Sequence, residues 1–475
     1  MVQTWAKDDD RARQASVDLH LDLPGPPGSR VRLSLETALR DAVRTGRLGP
    51  GTRLPSSRAL AADLGLARNT VAEVYSQLVA EGWLTARTGS GTSVAERRAA
   101  DPGPGPLDRP RPAAPRYDLR PGVPDLSAFP VGAWLATARK VLAAAPRRLL
   151  DYPDPRGLPQ LRAALAGYLG RARGVTADPG SIVICAGFAH GLAVTCAALR
   201  SAGAATLAVE AYGHQAHRDL AQAQGLRLRP LPVDGSGAVI GVADGTDAAL
   251  LTPAHQFPLG VTLHPQRRRE AARWGGVVIE DDYDGEFRYD RQPVGALQAL
   301  APDRVIYAGT ASKSLAPALR LGWLVVPPRL LDAVTAQLTA GPSGLDQLTL
   351  AEFIDSGGYD RQIRRTRLAY RRRRDRLAAA LGRQGRQVTG IAAGLQAMLE
   401  LSGTDLERQL VTRAAEHGLA LQGLEGFRAP GVSPDRAGLV IGYGRPPEHA
   451  YTTALARLGA VLDSGLEPGR AAVRN

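Results

Sequence analysis

Apolar residues in the last three quarters of the chain fall into short runs separated by longer amphipathic stretches. The runs predict strands at residues 182–185, 206–210, 248–251, 276–280, 305–308 and 321–326. Several intervening stretches have helical periodicity, and such alternation is typical of a mostly parallel sheet covered by helices. We therefore expect an α/β fold over residues 117–475, with a small α+β subdomain from about residue 340.

A second pattern covers residues 30–95. Leu35, Leu39 and Val43 recur at helical spacing and predict a first helix over residues 34–45. Ser56 or Ser57 can cap a second helix that ends at Gly65. A third helix begins near residues 68–70, and residues 82–94 are typical of a two-stranded wing that closes at a Gly-Ser-Gly tip. The order predicts a winged helix-turn-helix domain.

Two segments lack such patterns. Residues 1–29 are charged and then rich in proline and glycine, which predicts disorder. Residues 96–116 are rich in proline, arginine and alanine, which is typical of a semi-extended linker. The expected domains are therefore 30–95 and 117–475, joined by this linker.

Composition narrows the class of protein. The formal net charge of +13 favours a polyanionic partner, above all nucleic acid, although an arginine-rich composition alone would give the same charge. No run of 18 apolar residues predicts a membrane span, and the first ten residues do not resemble a signal peptide. Cys185 and Cys196 lie in apolar stretches and are expected to be buried. We expect a cytoplasmic protein.

Lys313 is one of only three lysines in a chain whose other basic residues are arginines. It lies in the motif Gly-Thr-Ala-Ser-Lys-Ser, between Thr310 and Ser312 on one side and Arg320 on the other. About thirty residues upstream, Asp281 and Tyr283 follow an apolar run. An amine, a carboxylate, a phenol, hydroxyls and a guanidinium are the groups that a pyridoxal phosphate (PLP) site requires.

The placement of these residues suggests their roles. Lys313 would form the Schiff base, Asp281 would pair with the pyridine nitrogen, and Tyr283 would bind the ring oxygen. Thr310, Ser312 and Arg320 would bind the phosphate, together with backbone N–H groups at a strand-to-helix turn. Asp281 and Tyr283 lie just beyond the predicted strand 276–280, and Lys313 lies just beyond the predicted strand 305–308, at the carboxyl ends where open α/β sheets bind ligands. The turn consists of Gly187, Phe188 and Ala189.

Residues 252–260 stand where aminotransferases carry an Asn-Pro-x-Gly turn. This resemblance implies that His255 and Gln256 line the cofactor ring. A lone histidine is otherwise more often a loop or core residue. A structural role for His255 therefore remains open.

The amino-terminal block resembles the GntR-type winged helix, especially in "LPSSRALAADLGLARNTV" and "AEGWLTARTGSGT". The resemblance implies that double-stranded operator DNA is a partner. It also implies that a recognition helix begins at residue 68, where exposed side chains meet base edges and phosphates. The expected DNA contacts are Arg53, Ser56, Arg58, Arg68, Asn69, Thr70, Arg87 and Gly91.

From about Val31 onward the chain is similar to the MocR/GabR family, as "IEDDYDGEFRYD" and "GTASKSLAPALRLGWLVVPP" illustrate. Proteins of this family combine a GntR-type winged helix with a fold-type I aminotransferase-like domain. The resemblance implies that the second domain binds PLP and serves for sensing, with enzymatic turnover uncertain. It further implies a head-to-tail homodimer.

Two departures from the family pattern bear on the effector. The family often carries Asp-Pro-Gly-Tyr, where this chain has Ala211-Tyr212-Gly213-His214, so His214 or Tyr212 would have to cover the ring. Near the last strand, Arg436 and Arg445 are not plainly in register for binding a substrate carboxylate. This favours a PdxR-like regulator with PLP as its effector and vitamin B6 genes as its targets. An amino-acid-responsive regulator and an active aminotransferase remain alternatives.

The arginine run at residues 361–376 raises the possibility of a second DNA-binding element. We interpret it as a solvated helix, with Ile363, Leu368, Leu377 and Leu381 as its apolar partners. Contact with flanking DNA phosphates stays open.

Overall fold

The computed structural model describes residues 31–87, 91–96, 115–289 and 294–464. The segment 1–29, most of the linker and the tip of the wing at residues 88–90 lie outside the described residues. The chain divides into two compact units, one up to Pro112 and one from Ala113 onward.

The first unit has three helices and a two-stranded antiparallel wing. The elements are α1 (Val31–Arg44), α2 (Ser57–Leu64), α3 (Arg68–Ala80), β1 (Leu84–Arg87) and β2 (Gly91–Val94). Helix α1 begins three residues before the predicted start. Its Leu35 and Leu39 pack against Val71, Val74 and Leu78 of α3 in one apolar core.

Local chemistry sets the helix ends. Ser56 caps α2 by accepting a hydrogen bond from the Ala59 backbone N–H at 3.1 Å. Gly65 ends α2 with φ of 65°, a conformation that glycine adopts without strain. Arg40 of α1 donates to both carboxylate oxygens of Glu81 at 2.9 and 2.7 Å, which ties α1 to the end of α3.

A seven-stranded sheet forms the centre of the second unit. Its strands are β4 (Ile182–Cys185), β5 (Thr206–Glu210), β6 (Arg227–Leu231), β9 (Ala248–Leu251), β10 (Val277–Asp281), β11 (Val305–Thr310) and β12 (Gly322–Val325). The spatial order is β4-β12-β11-β10-β9-β5-β6. Only β12 runs antiparallel to its neighbours in this sheet, so the carboxyl ends of the other six strands share one edge.

Two predicted strand ends shift in the structure. Strand β10 includes Asp281, which was expected just beyond it, and β11 extends through Thr310. Both residues are therefore fixed by backbone pairing, because Asp281 pairs with Ala308 and Thr310 pairs with Gly322.

Helices and a smaller sheet complete the second unit. The helices are α4 (Val131–Ala144), α5 (Pro159–Arg173), α6 (Phe188–Ser201), α7 (Gln215–Ala223), α8 (Pro265–Arg273), α9 (Pro328–Thr335), α10 (Gly344–Asp355), α11 (Gly358–Gly382), α12 (Thr404–Glu416) and α13 (Glu448–Ser464). The short strands are β3 (Tyr117–Asp118), β7 (Val233–Asp234), β8 (Gly237–Ala238), β13 (Val388–Thr389), β14 (Gln396–Leu401), β15 (Leu419–Ala420) and β16 (Ala437–Gly442). Strands β13, β14 and β16 form a three-stranded antiparallel sheet.

Helix α11 carries the arginine run and differs from its prediction at one residue. Ile363, Leu377 and Leu381 are buried as expected, but Leu368 is 55% exposed. Leu368 lies on the solvent side because Thr366 and Tyr370 occupy the adjacent inward positions. Across the described ranges, no helix has the length and apolar character that crossing a membrane requires.

Candidate functional site

The carboxyl edge of the large sheet borders a cavity of about 270 Å³. Segments that follow five strands line it. They are Gly187–Ala189 after β4, Glu210 to Arg218 at and after β5, Thr252 and Phe257 after β9, Asp281 and Tyr283 from β10, and Thr310 to Arg320 from β11. The parallel topology therefore brings most of the predicted cofactor residues together.

Lys313 lines this cavity, and its Nζ donates a hydrogen bond to the Gly122 carbonyl oxygen at 2.6 Å. Burial lowers the pKa of the Lys313 amine, while the carboxylates of Asp281 and Asp284 oppose that shift. A lowered pKa increases the fraction of neutral amine, the form that attacks an aldehyde.

Asp281 is buried on the adjacent strand, and it also lines the cavity. Its Oδ1 has no hydrogen-bond partner in the part of the chain that the structure describes. Burial raises the pKa of the Asp281 carboxyl well above its usual range, and the positive charge of Lys313 opposes this. A buried carboxylate oxygen without a partner is costly, so this atom is suited to a cationic or N–H group of a ligand.

Tyr283 lines the cavity, whereas His255 lies outside the lining. The Tyr283 hydroxyl accepts a hydrogen bond from Gln396 Nε2 at 2.8 Å and lies 3.0 Å from His255 Nδ1. His255 Nδ1 is also 2.8 Å from Asp284 Oδ2. His255 thus lies beside the phenol of Tyr283 and supports it, and its contact with a cofactor ring stays a prediction. Gln256 likewise lies outside the lining and binds Glu210 and the Tyr212 carbonyl.

One end of the cavity offers groups for a phosphate. Gly187, with φ of 81°, precedes α6, and the first N–H groups of a helix have no intrahelical partner. The Gly187 N–H itself donates to the Cys185 carbonyl oxygen at 2.8 Å, so the N–H groups of Phe188 and Ala189 remain. Thr310 Oγ1 lies 2.8 Å from Ser312 Oγ on the same wall.

Arg320 completes this end of the cavity. Its backbone has φ of 51°, a left-handed conformation that is uncommon for a residue other than glycine. A Cβ on Gly187 would lie 3.6 Å from the Arg320 guanidinium carbon, which is ordinary van der Waals contact, so the φ of 81° and not the available space favours glycine at this position. Within the described ranges we find no hydrogen bond or ion pair to the Arg320 side chain, which leaves its guanidinium available for an anion.

His214 forms part of a wall with an unpredicted neighbour, His217. The His214 ring stacks on Phe257 at 4.1 Å, and the His217 ring lies 4.8 Å from that of Phe188. Burial lowers the pKa of His214 to about 4 and that of His217 to about 3, so both imidazoles are neutral at pH 7. Tyr212 does not cover the cavity, because its hydroxyl donates to Asp435 at 2.6 Å.

Glu210 and Arg218 also line the cavity and were missed as site residues. Glu210 accepts hydrogen bonds from Thr252 Oγ1 at 2.5 Å and Gln256 Nε2 at 3.1 Å, and burial raises its pKa to about 7. The spacing of His217 three residues after His214 was a usable signal, because such residues share a helix face. Gly122 gave no local signal, because it meets Lys313 across 191 residues.

The arginines near the cavity have different surroundings. All five N–H groups of Arg218 are directed at the carbonyl oxygens of Gly213, Phe427, Arg428 and the Gln215 side chain. Arg445 forms an ion pair with Asp118 at 3.1 Å, and neither Arg445 nor Arg436 lines the cavity. Arg320, at the phosphate end, is therefore the only arginine of the lining with uncommitted donors in the part of the chain that the structure describes.

The expected DNA contacts lie on the first unit and are mostly exposed. Arg68 and Asn69 are exposed in the first turn of α3, where Thr70 is half-buried. A groove brings together Arg53, Ser56 and Gly91. Asn69 lies in a different groove with Arg32 and Glu73, while Arg58 and Arg87 are exposed on α2 and at the end of β1.

Two family descriptions match this chain. Residues 32–94 match "Bacterial regulatory proteins, gntR family", and residues 118–434 match "Aminotransferase class I and II". The chain is 32% identical over 470 residues to the HTH-type pyridoxine biosynthesis transcriptional regulator PdxR of Corynebacterium glutamicum, covering 94% of this chain and 99% of that one. It is 33% identical over 444 residues to the probable rhizopine catabolism regulatory protein MocR of Rhizobium meliloti, covering 85% and 88%.

Solved structures show the fold of the second unit. The kynurenine aminotransferase of Pyrococcus horikoshii aligns with a TM-score of 0.65 and 23% identity over 74% of this chain and 91% of that one. The α-aminoadipate aminotransferase LysN of Thermus thermophilus also has a TM-score of 0.65 and 23% identity, over 74% and 92%. The second unit has the aminotransferase fold.

Fold and motifs together define a transcription regulator that joins a GntR-type DNA-binding domain to an aminotransferase-like domain. The chain belongs to the MocR/PdxR-type family of HTH transcription regulators.

Proposed function

We propose that this protein is a PLP-responsive transcription regulator of the PdxR type, which controls genes of vitamin B6 synthesis or salvage. Its winged helix would bind operator DNA, and its cavity would hold PLP as the signal. The PdxR relative carries pyridoxine biosynthesis in its name and matches nearly the full length of both chains, which supports this choice of target genes.

The donor set of the cavity fits PLP. The partnerless Oδ1 of Asp281 suits a protonated pyridine nitrogen, and Tyr283 suits the ring oxygen. Arg320, Thr310, Ser312 and the N–H groups of Phe188 and Ala189 suit the phosphate. When bound, PLP supplies an aldehyde that reacts with amines. Among the described residues, Lys313 is the only lysine that lines the cavity.

The choice of PLP over an amino acid as the effector rests on the arginines near the cavity, because a substrate carboxylate needs a free cation away from the phosphate end. Arg218 has committed every donor, Arg445 is paired with Asp118, and Arg436 lies outside the lining. Val440 of the last strand packs against Phe257 and Phe427 in an apolar cluster. These observations support PLP as the effector, because among the described residues Arg320 is the only arginine of the lining with uncommitted donors, and we assign it to the phosphate.

Two alternatives share the Lys313 apparatus and are separated by the ligand they require. An amino-acid-responsive regulator, or an active aminotransferase, needs a positioned partner for the substrate carboxylate.

A head-to-tail homodimer, as the family resemblance implies, is part of the proposal.

The proposal is tested by measuring the apparent Kd for DNA taken upstream of vitamin B6 genes in the same genome. We expect added PLP to change this Kd by about fivefold or more, a typical size for coupling between two sites. Lys313→Ala should bind the same DNA without responding to PLP.

The outcomes separate the parts of the proposal. Tight DNA binding that ignores PLP would contradict PLP as the effector but leave the regulator class intact. Binding no tighter than to unrelated DNA would contradict the proposed target genes.

A further inference from the structure

We propose that the solvent face of α11 is a second DNA-binding surface, which contacts the sugar-phosphate backbone without reading sequence. The surface consists of Arg361, Arg364, Arg365, Arg371 and Arg372. This inference rests on the DNA-binding function proposed above and adds a contact in the aminotransferase-like unit.

Helix geometry places these five arginines on one side of α11. At about 100° per residue, they fall within an arc of about 120° around the helix. Arg364 and Arg372 are separated by about 12 Å along its axis, at a rise of about 1.5 Å per residue. All five side chains are exposed. The five exposed arginines together form a cationic stripe on the solvent side of α11.

Two other arginines of the same helix are neutralised by carboxylates. Arg373 forms ion pairs with Asp125 at 2.6 Å and Glu448 at 3.0 Å. Arg376 pairs with Glu448 at 2.7 Å. The ion pairs of the buried Arg373 explain why α11 tolerates an arginine at this inward position.

The outward arginines lack such compensation. Arg364, Arg371 and Arg372 have no side-chain hydrogen bond or ion pair within the described ranges of the chain. Arg361 and Arg365 bind only neutral oxygens, at the carbonyls of Ser356 and Ala128 and on the Gln362 side chain. The exposed Asp375 is an acidic residue on the same face, at its carboxyl end.

Uncompensated like charges repel one another along a helix, and a polyanion relieves that repulsion. Duplex DNA presents one negative charge per about 1.7 Å of its axis, so a row of guanidinium groups about 12 Å long spans several phosphates. Arginine also binds phosphate in a bidentate manner. A DNA backbone is the partner chosen here because the chain already belongs to a family of DNA-binding regulators.

The test compares salt dependence of binding to a mixed-sequence duplex of about 40 base pairs, using the full-length protein with PLP. The variant Arg364→Gln/Arg371→Gln/Arg372→Gln removes the three unpaired charges. We expect its plot of log K against log salt to be shallower by about one to three units, since each lost phosphate contact changes the slope by about 0.9. At low salt, affinity should fall on the order of tenfold.

A matched control removes the same charge elsewhere. Arg139 belongs to α4, and Arg269 and Arg273 belong to α8, so none of them is part of the stripe. The variant Arg139→Gln/Arg269→Gln/Arg273→Gln should keep the wild-type slope. Equal losses in the two triple variants would overturn the proposal, because bulk charge alone would then explain binding. A wild-type slope in the α11 variant would overturn it as well.

Additional binding experiments distinguish a wrong partner from a failure of the proposed DNA-binding function. If the α11 variant lost binding to poly-glutamate or to an RNA hairpin but kept wild-type DNA binding, the partner would be wrong. Failure of the wild-type protein to bind any duplex at low salt would overturn both this inference and the proposed DNA-binding function. Arg68→Ala should weaken binding to specific operator DNA while keeping the slope difference between wild type and the α11 variant, so the two surfaces can be judged independently.

Discussion

The winged helix and the aminotransferase-like cavity place their candidate residues in opposite physical settings. Those of the winged helix lie between residues 53 and 91, and most are exposed. Those of the cavity lie between residues 122 and 320 at five strand ends, and several are buried with shifted pKa values. We therefore expect the surface to bind DNA through separable contacts and the cavity to bind its ligand through one interdependent arrangement. Single substitutions should have partial effects in the first and large effects in the second.

The largest expected effect is at Lys313. Lys313→Ala should abolish the absorbance band that marks PLP joined to the protein, because no other lysine of the described ranges lines the cavity. The visible absorbance spectrum after addition of PLP measures this. Lys140→Ala is the matched control, since Lys140 is 70% exposed and pairs with Glu352 on the surface. A band that survives in Lys313→Ala would contradict the assignment.

A second prediction concerns Glu210, whose pKa is raised by burial from 4.5 to about 7. The Glu210 carboxyl ionises near pH 4.5 in the unfolded chain and near pH 7 in the folded protein. Glu210 therefore lowers the free energy of unfolding as pH rises from about 4.5 to about 7. Glu210→Gln stays neutral. Its stability relative to wild type should therefore be greater at about pH 8 than at about pH 5, by roughly 3 kcal/mol.

Urea unfolding of the PLP-free protein at both pH values measures this difference. Glu400→Gln is the control, because Glu400 is exposed on β14 and should show the same relative stability at both pH values. A Glu210→Gln effect that does not vary with pH would contradict the buried carboxyl.

On the DNA-binding surface, the expected effects are smaller. Arg68→Ala should weaken operator binding by about 1–3 kcal/mol without changing PLP uptake, because one specific base contact has that value. Operator affinity by fluorescence anisotropy, with PLP uptake measured on the same sample, checks both parts. Arg44→Ala, at a 73% exposed residue of α1, should retain full affinity. Reduced PLP uptake in Arg68→Ala would contradict the view that DNA binding and PLP binding depend on separate regions.

The smallest effect is expected at the cap of α2. Ser56→Ala should destabilise the winged helix by about 1 kcal/mol, since it removes the hydrogen bond to the Ala59 N–H. Thermal unfolding followed by circular dichroism measures the loss. Ser57→Ala, at the first residue of the helix, should cost less, and equal losses would contradict the assignment of Ser56 as the cap.

Much of the fold was predictable because each element has a local signature. The helices of the winged unit follow from apolar spacing and from the cap at Ser56, and the aminotransferase fold follows from alternating strands and helices. The direction of each strand in the sheet was harder to predict from the sequence, because an apolar run does not specify it. The antiparallel placement of β12 depends on its pairing with β4 and β11, which lie far away in sequence or across a turn.

Site residues that directly follow strands could be predicted from the sequence. The contacts that site residues make with distant parts of the chain could not. Lys313, Asp281 and Arg320 line the cavity as the motif order predicts. His255 does not, because the turn of the chain directs it behind Tyr283 toward Asp284. The commitment of Arg218 to distant carbonyl oxygens depends on the contact of α7 with residues 427 and 428, which no local pattern encodes.

We propose that the cavity takes PLP on Lys313 and that, among the described residues, it offers no free arginine other than Arg320, which the phosphate would occupy. The most direct measurement is the absorbance spectrum of the purified protein, titrated first with PLP and then with a panel of amino acids. We expect a band that forms with PLP and stays unchanged with every amino acid. A band that shifts or bleaches with one amino acid would contradict it, and its recovery on addition of a keto acid would indicate an active aminotransferase.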